Sequence, residues 1–157
     1  MAREHRLCWN RRCTLLLGGI PLAFLLSEPI PAFAEEPVNR IVRGTTQQGY
    51  PFMSGGVGTE ERDQMMQDRN QYDLELAFAA YSGAYLSDVR VVVNDEHGNE
   101  IIDTTTVGPL FYAELPAGKY EVKAIFDNRT QESKNLQIDK SRRVSRLFHW
   151  NVADQKE

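Results

Sequence analysis

The sequence predicts a mostly β fold: about seven antiparallel strands stacked as a two-sheet β-sandwich, with one short N-terminal helix ahead of them. Three observations carry this expectation. From Tyr72 onward, apolar and polar residues alternate with a period of two. Turn-forming clusters divide that region at spacings of roughly 8–12 residues, the rhythm of sandwiches and barrels. Thr59 to Gln71 shows no such alternation, is free of glycine and proline, opens on a capping residue and carries acids in its first turn.

Residues 1–34 read as a secretory signal peptide and stand apart from the fold. Arg3, Arg6, Arg11 and Arg12 make a basic start, Cys13 to Leu26 is apolar, and Ala32-Phe33-Ala34 has the small-x-small form of a cleavage site. The apolar run, broken by Gly18, Gly19 and Pro21, falls short of the ~20 residues a membrane span needs. Cleavage after Ala34 and a periplasmic or secreted product are therefore expected, without stable membrane insertion. An uncleaved anchor and a twin-arginine signal fit these residues less well. Cleavage removes four arginines, two glutamates and both cysteines, Cys8 and Cys13. The 123 residues that remain carry a net charge of −6, against −4 for the whole chain. That balance argues against nucleic acid or an anionic membrane as partner. Without cysteine the product relies on packing, and its length suits one domain.

Residues 35–58 read as a loosely ordered lead-in, because Pro37, Gly44, Gly49, Pro51, Gly55, Gly56 and Gly58 interrupt any long element. A short strand fits around Arg40 to Arg43. Residues 59–71 follow as a surface helix with Thr59 as N-cap and Glu60 and Glu61 at the positive end of its dipole. Met65, Met66 and the following Tyr72 give it a thin apolar side. The sandwich occupies residues 72–152, and 153–157 are a tail. Tyr72, Leu74, Leu76 and Phe78 mark its first strand, and Val89, Val91 and Val93 the second, which Val92 makes apolar enough to be central. Ile101 and Ile102 resume beyond the turn from Asp95 to Asn99. Phe111, Ala113 and Leu115 lead to Pro116-Ala117-Gly118, and Tyr120, Val122, Ala124 and Phe126 leave it. Leu136 with Ile138, and Val144 to Trp150, complete the set. No sustained repeat or heptad is present.

In Leu115-Pro116-Ala117-Gly118-Lys119-Tyr120-Glu121-Val122, proline and glycine close a hairpin, and Tyr120 and Val122 leave it on the face by which Leu115 enters. With these residues, the segment from about Tyr72 to Trp150 resembles the carboxypeptidase regulatory-like domains, which are transthyretin-like, Ig-like β-sandwiches. Ser54-Gly55-Gly56-Val57-Gly58 ahead of an acidic helix, followed by Gly83-Ala84-Tyr85-Leu86-Ser87-Asp88-Val89, resembles a group of small periplasmic proteins of Gram-negative bacteria that carry this domain. The resemblance implies a fold and brings no activity with it.

Catalytic readings find little support in the residues. A catalytic zinc takes three protein ligands at His-x-x-Glu or His-Glu-x-x-His spacing, and only His97 and His149 follow position 34, in neither spacing. The transthyretin-like purine hydrolases resemble this fold but pair histidines with an arginine and end in Tyr-Arg-Gly-Ser, whereas this chain ends Asp154-Gln155-Lys156-Glu157. Ser54 lacks a nucleophile-elbow setting, since position 52 is Phe52. The Gly55–Gly58 loop lacks the lysine of a phosphate loop and has Glu60 and Glu61 beside it. Asn128-Arg129-Thr130 has the form of a glycosylation acceptor and reads as a turn. No catalytic residue, metal ligand or cofactor is expected.

For binding, Tyr81, Tyr85, Phe111 and Tyr112 offer aromatic area near loops or strand ends. Arg142 and Arg143, with Lys140 and Arg146, form a basic cluster on an acidic chain. The plainer alternatives are core aromatics and a solvated strand edge. The expectation is a non-enzymatic periplasmic binding or structural module whose partner is another envelope protein or a polysaccharide. The alternatives are a carbohydrate or small-ligand binding protein with an aromatic-lined cleft and, third, an unrecognised hydrolase.

Overall fold

The structure is a computed structural model in which residues 40–152 are described. The expected signal with Cys8 and Cys13, and the tail 153–157, lie outside the described residues. Along the chain come β1 (Val42–Thr45), β2 (Pro51–Gly55), α1 (Thr59–Asp68) and a 3-10 turn at Arg69–Gln71. Then follow β3 (Leu74–Ala80), β4 (Arg90–Asp95), β5 (Glu100–Thr105), β6 (Leu110–Ala113), β7 (Gly118–Phe126), β8 (Arg129–Ile138) and β9 (Val144–Trp150). The strands form a five-stranded sheet in the order β1-β2-β6-β3-β9 and a four-stranded sheet in the order β5-β4-β7-β8.

The two-residue period explains how these sheets share a core. Leu74, Leu76 and Phe78 of β3 point to one face with Phe111 of β6 and Phe148 and Trp150 of β9. Val91 and Val93, Val122 and Ala124, and Leu136 and Ile138 supply the facing side from the second sheet, and all belong to one buried cluster. Each valine, leucine, isoleucine and phenylalanine among them contributes about 1.5–3 kcal/mol by leaving water. The Leu115–Val122 hairpin behaves as its residues suggest. Leu115, Tyr120 and Val122 are buried, and the Tyr120 hydroxyl donates to the Pro116 carbonyl at 3.0 Å, pinning the turn to the strand that leaves it.

Three expectations need correction. The described residues hold nine strands, because the glycine- and proline-rich lead-in supplies β1, which overlaps the strand expected around Arg40 to Arg43, and β2, which the sequence did not suggest. Its glycines serve the hairpin: Gly49 turns it with φ +89°, and Gly44 leaves room for the Phe52 ring, which lies 2.5 Å from where a Cβ would be. The helix is consequently not the N-terminal element, since it follows two strands. The strands are not all antiparallel either, because β9 runs parallel to β3 from Leu74↔Val144 to Ala80↔Trp150. First and last strands of the β3–β9 segment can pair this way only because everything between them crosses to the other sheet or to β6.

Helix α1 lies on the outer face of the five-stranded sheet and seals a second small core. Met65 and Tyr72 meet Met53 of β2 and Tyr112 of β6, with Ile41 and Leu110 at the margin. Asp68 also accepts from Arg43 at 2.6 Å, tying the helix to β1. Only part of the face is covered. The rest, over the ends of β3 and β9, stays open.

Candidate binding surfaces

The open part of that face is built by strand register. Ala79 stands opposite His149 on β9 and opposite Tyr85, which returns beside β3 through a short turn. Directly opposed residues share a face, so His149 and Tyr85 flank the alanine on the outer side. The turn itself is tight: Gly83 N–H donates to the Ala80 carbonyl at 2.9 Å, and Gly83 takes φ +90°. It places Tyr81 at the sheet's end, where its N–H donates to the Trp150 carbonyl at 2.9 Å.

Both tyrosines are exposed yet held in place. Tyr81 is 74% exposed, and its ring stacks on His149 with centroids 5.5 Å apart and planes 14° from parallel. Tyr85 is 62% exposed, with the Arg62 guanidinium 5.5 Å from its ring centre. Arg62 is fixed in turn, donating to the carbonyls of Gly56 (3.1 Å) and Val57 (2.9 Å) and to the Thr59 hydroxyl (3.2 Å). One row nearer the helix, Leu147 stands opposite Ala77 and is 56% exposed. Small residues on β3 between larger ones on its neighbours make a shallow aromatic and apolar surface beside α1.

The other expected site residues go elsewhere. Phe111 faces inward into the main core, and Tyr112 is buried beneath α1, its hydroxyl pushed to a higher pKa chiefly by that burial. Both are corrections: adjacent positions on one strand point to opposite faces, and both faces of β6 are covered. The basic cluster is also divided. Arg143 donates to Glu75 at 2.9 Å and to the Arg69 carbonyl at 2.9 Å, a structural tie joining β9, β3 and the 3-10 turn. Lys140 pairs with Asp73 at 2.7 Å and reaches Glu114 at 3.7 Å. Arg142 and Arg146 are exposed.

The residues weighed for catalysis have structural partners. The Ser54 hydroxyl is buried and accepts from Val107 N–H at 3.0 Å. His97 sits in an exposed turn whose amides, with that of Asn99, donate to Asp95 at 2.9 and 2.8 Å. The Asn99 side chain and these amides hold Asp95 below the usual carboxylate range. Among the described residues no group of three or more His, Cys, Asp or Glu is placed to hold a metal ion, and no described helix is long and apolar enough to cross a membrane.

The glycine loop before α1 does cradle an anion, and that anion is the chain's own Glu61. Its carboxylate accepts from the N–H groups of Gly56 and Val57, each at 3.1 Å, and of Arg40 at 3.0 Å. Burial alone pushes the Glu61 pKa up, but backbone donors from Arg40, Val57, Gly56 and Gly58 outweigh it and hold the group below its ordinary value. Gly58, not the expected Thr59, takes the N-cap position and no side chain caps the helix; Glu61 instead reaches back to fix the loop ahead of it. Compared with known proteins, the chain matches no family model, no curated protein and no solved structure.

Proposed function

We propose that this chain is an exported, non-enzymatic binding module that meets another envelope protein through the open aromatic face beside α1. The observation that carries the reading is the pair of exposed tyrosines whose rings are already fixed, Tyr81 on His149 and Tyr85 under Arg62. Rings immobilised before binding lose little freedom on binding, and Tyr with neighbouring Arg is the composition of interface hot spots. The Ser54 hydroxyl and the Glu61 carboxylate accept backbone N–H groups within the fold, and the face itself presents stacked and apolar groups, Tyr81 on His149 and Leu147. Export rests on the basic, apolar and small-x-small succession of residues 1–34.

We also read β3 to β9 as a transthyretin-like sandwich of the carboxypeptidase regulatory-like kind. Supporting this are the seven strands within the segment that carries the resemblance, and the buried Leu115, Tyr120 and Val122 around the Pro116–Gly118 turn. The partner reading is tested by affinity capture from the envelope fraction with the purified protein and its Tyr81→Ser/Tyr85→Ser variant as baits. Proteins recovered by the first and lost by the second support it. Equal recovery by both, with the variant folded by circular dichroism, refutes it.

A further inference from the structure

The two sheets are tied along one side and open along the other. On the β8–β9 side, Trp150 Nε1–H donates to the Arg129 carbonyl at 3.2 Å, Gln131 donates to the His149 carbonyl, and Arg129 to that of Asn151. On the opposite side, the β1–β2 hairpin and edge strand β5 bound a cavity of about 220 Å³. Across its mouth the Gln48 side-chain amide donates to the Glu100 carbonyl at 3.2 Å.

The chemistry of this wall is specific. Phe52 supplies an aromatic ring, stacked at 5.6 Å and 25° on Phe111 behind it and so fixed from the core side. Around the ring stand Thr46, Gln47, Gln48 and Thr104, all neutral donors and acceptors. Gln48 keeps an amide oxygen able to accept, and the Thr46 hydroxyl, which accepts from Tyr50 N–H at 3.0 Å, keeps its proton to donate. No lysine or arginine lines the cavity, so an anion finds no counter-charge. Asp103 is held in a fork by Arg90 at 2.7 and 2.6 Å, which leaves the Glu100 carboxylate, too few oxygens for a hard cation that takes six or more. Seven of the ten lining residues are polar, which disfavours an apolar guest that would strip them of water.

We propose that this cavity binds one neutral saccharide unit, with the sugar's C–H face against Phe52 and its hydroxyls bonded to the amides and hydroxyls of the hairpin and β5. An aromatic ring with planar amides, hydroxyls and the carboxylates of Glu100 and Asp103 around it matches a polyol that has both an apolar face and a girdle of O–H groups, which carboxylates accept. The volume lies below the roughly 300 Å³ at which drug-sized sites begin, which suits a single ring at a chain end. This site is separate from the aromatic face over β3 and β9 and stands or falls independently of the partner proposed for that face.

The test uses protein purified after expression of the full-length chain, titrated with glucose, galactose, N-acetylglucosamine and the β1,4-linked dimers of glucose and N-acetylglucosamine, and followed by backbone amide NMR shifts. Glucose 6-phosphate serves as the charged comparison. Saturable shifts confined to residues 45–48, 52 and 100–104 are expected for at least one neutral sugar. Gln47→Ala and Thr104→Val, exposed or half-exposed positions whose loss leaves the core intact, should each weaken that sugar about tenfold, as removal of one or two hydrogen bonds implies. Lys134→Ala, exposed on β8 at the sheet edge opposite β5, should leave its affinity unchanged. The proposal is overturned by no shift with any neutral sugar, by tighter binding of glucose 6-phosphate, or by unchanged affinity in both Gln47→Ala and Thr104→Val.

Discussion

Replacing Glu61 isolates one buried carboxylate and the three backbone donors it satisfies. In Glu61→Ala the N–H groups of Arg40, Gly56 and Val57 lose their acceptor. The Gly56 bond is buried, so that donor bears the full cost of desolvation, while the other two are partly buried and regain water. A charge-assisted hydrogen bond contributes about 1.5–3 kcal/mol and a buried unsatisfied donor costs about 1–3 kcal/mol, so a total near 3 kcal/mol is expected once the rehydrated donors are discounted. For the 123 residues that follow position 34, an unfolding entropy of ~2.1 cal/mol/K per residue converts this to a Tm lower by about 10–12 °C. Glu61→Gln keeps one acceptor and loses the charge, so it should fall between. The pH dependence follows from the lowered pKa. Because the folded value lies below the unfolded one, the carboxylate's contribution is complete above the ordinary value of 4.5 and disappears as pH falls through the folded value. Chemical denaturation of wild type and Glu61→Gln across pH 3–7 is the assay, the difference cancelling other titrating groups. A gap that stays constant down to pH 3, or a Glu61→Ala cost below about 0.5 kcal/mol, would refute the argument that this carboxylate closes the loop.

Core and surface aromatics should separate sharply in the same assay. Phe111→Ala is expected to cost about 3–5 kcal/mol, whereas Tyr81→Ala, at 74% exposure, should stay within about 0.5 kcal/mol. Gly108→Ala should lower the denaturation midpoint by about 3 kcal/mol equivalent, because its Cβ would lie 2.4 Å from the Gly55 carbonyl oxygen, a backbone atom with no rotamer to relieve it. Arg143→Ala should cost about 1–2 kcal/mol through its bonds to Glu75 and the Arg69 carbonyl, and exposed Arg142→Ala close to nothing, as measured by urea midpoints.

β3, β7 and β9 were legible because one face of each is largely buried and the other wetter, so periodicity carried them directly. β1 was partly visible as the short strand around Arg40 to Arg43, but β2 was hidden by the glycines around it, since Gly44 and Gly55 yield to the Phe52 ring and to close backbone neighbours, contacts that no local pattern announces. Phe111 and Tyr112 misled for a related reason. β6 is covered by the second sheet on one side and by α1 on the other, so proximity to a turn said nothing about exposure. Tyr81 and Tyr85 were visible as residue types, but their anchors, His149 and Arg62, become neighbours only through the parallel register of β9 and the placement of α1. The hairpin cavity left no trace in the pattern at all, because its two walls, residues 45–52 and 100–104, come from different sheets.

The lead-in changes what the chain can do more than it changes the core. The main buried cluster draws its members from β3 to β9 and the loops between them, with Tyr50 and Phe52 only packed against it. Residues 40–58 instead add an edge to one sheet, and their own Glu61-held loop fixes the start of the helix that half covers that sheet's outer face. Both candidate binding surfaces are bounded by this addition: the cavity lies between its hairpin and β5, and Tyr85 rests against Arg62 of its helix. Both proposed surfaces therefore join residues of the lead-in and α1 to residues of the sandwich, Gln47 with Thr104 and Arg62 with Tyr85.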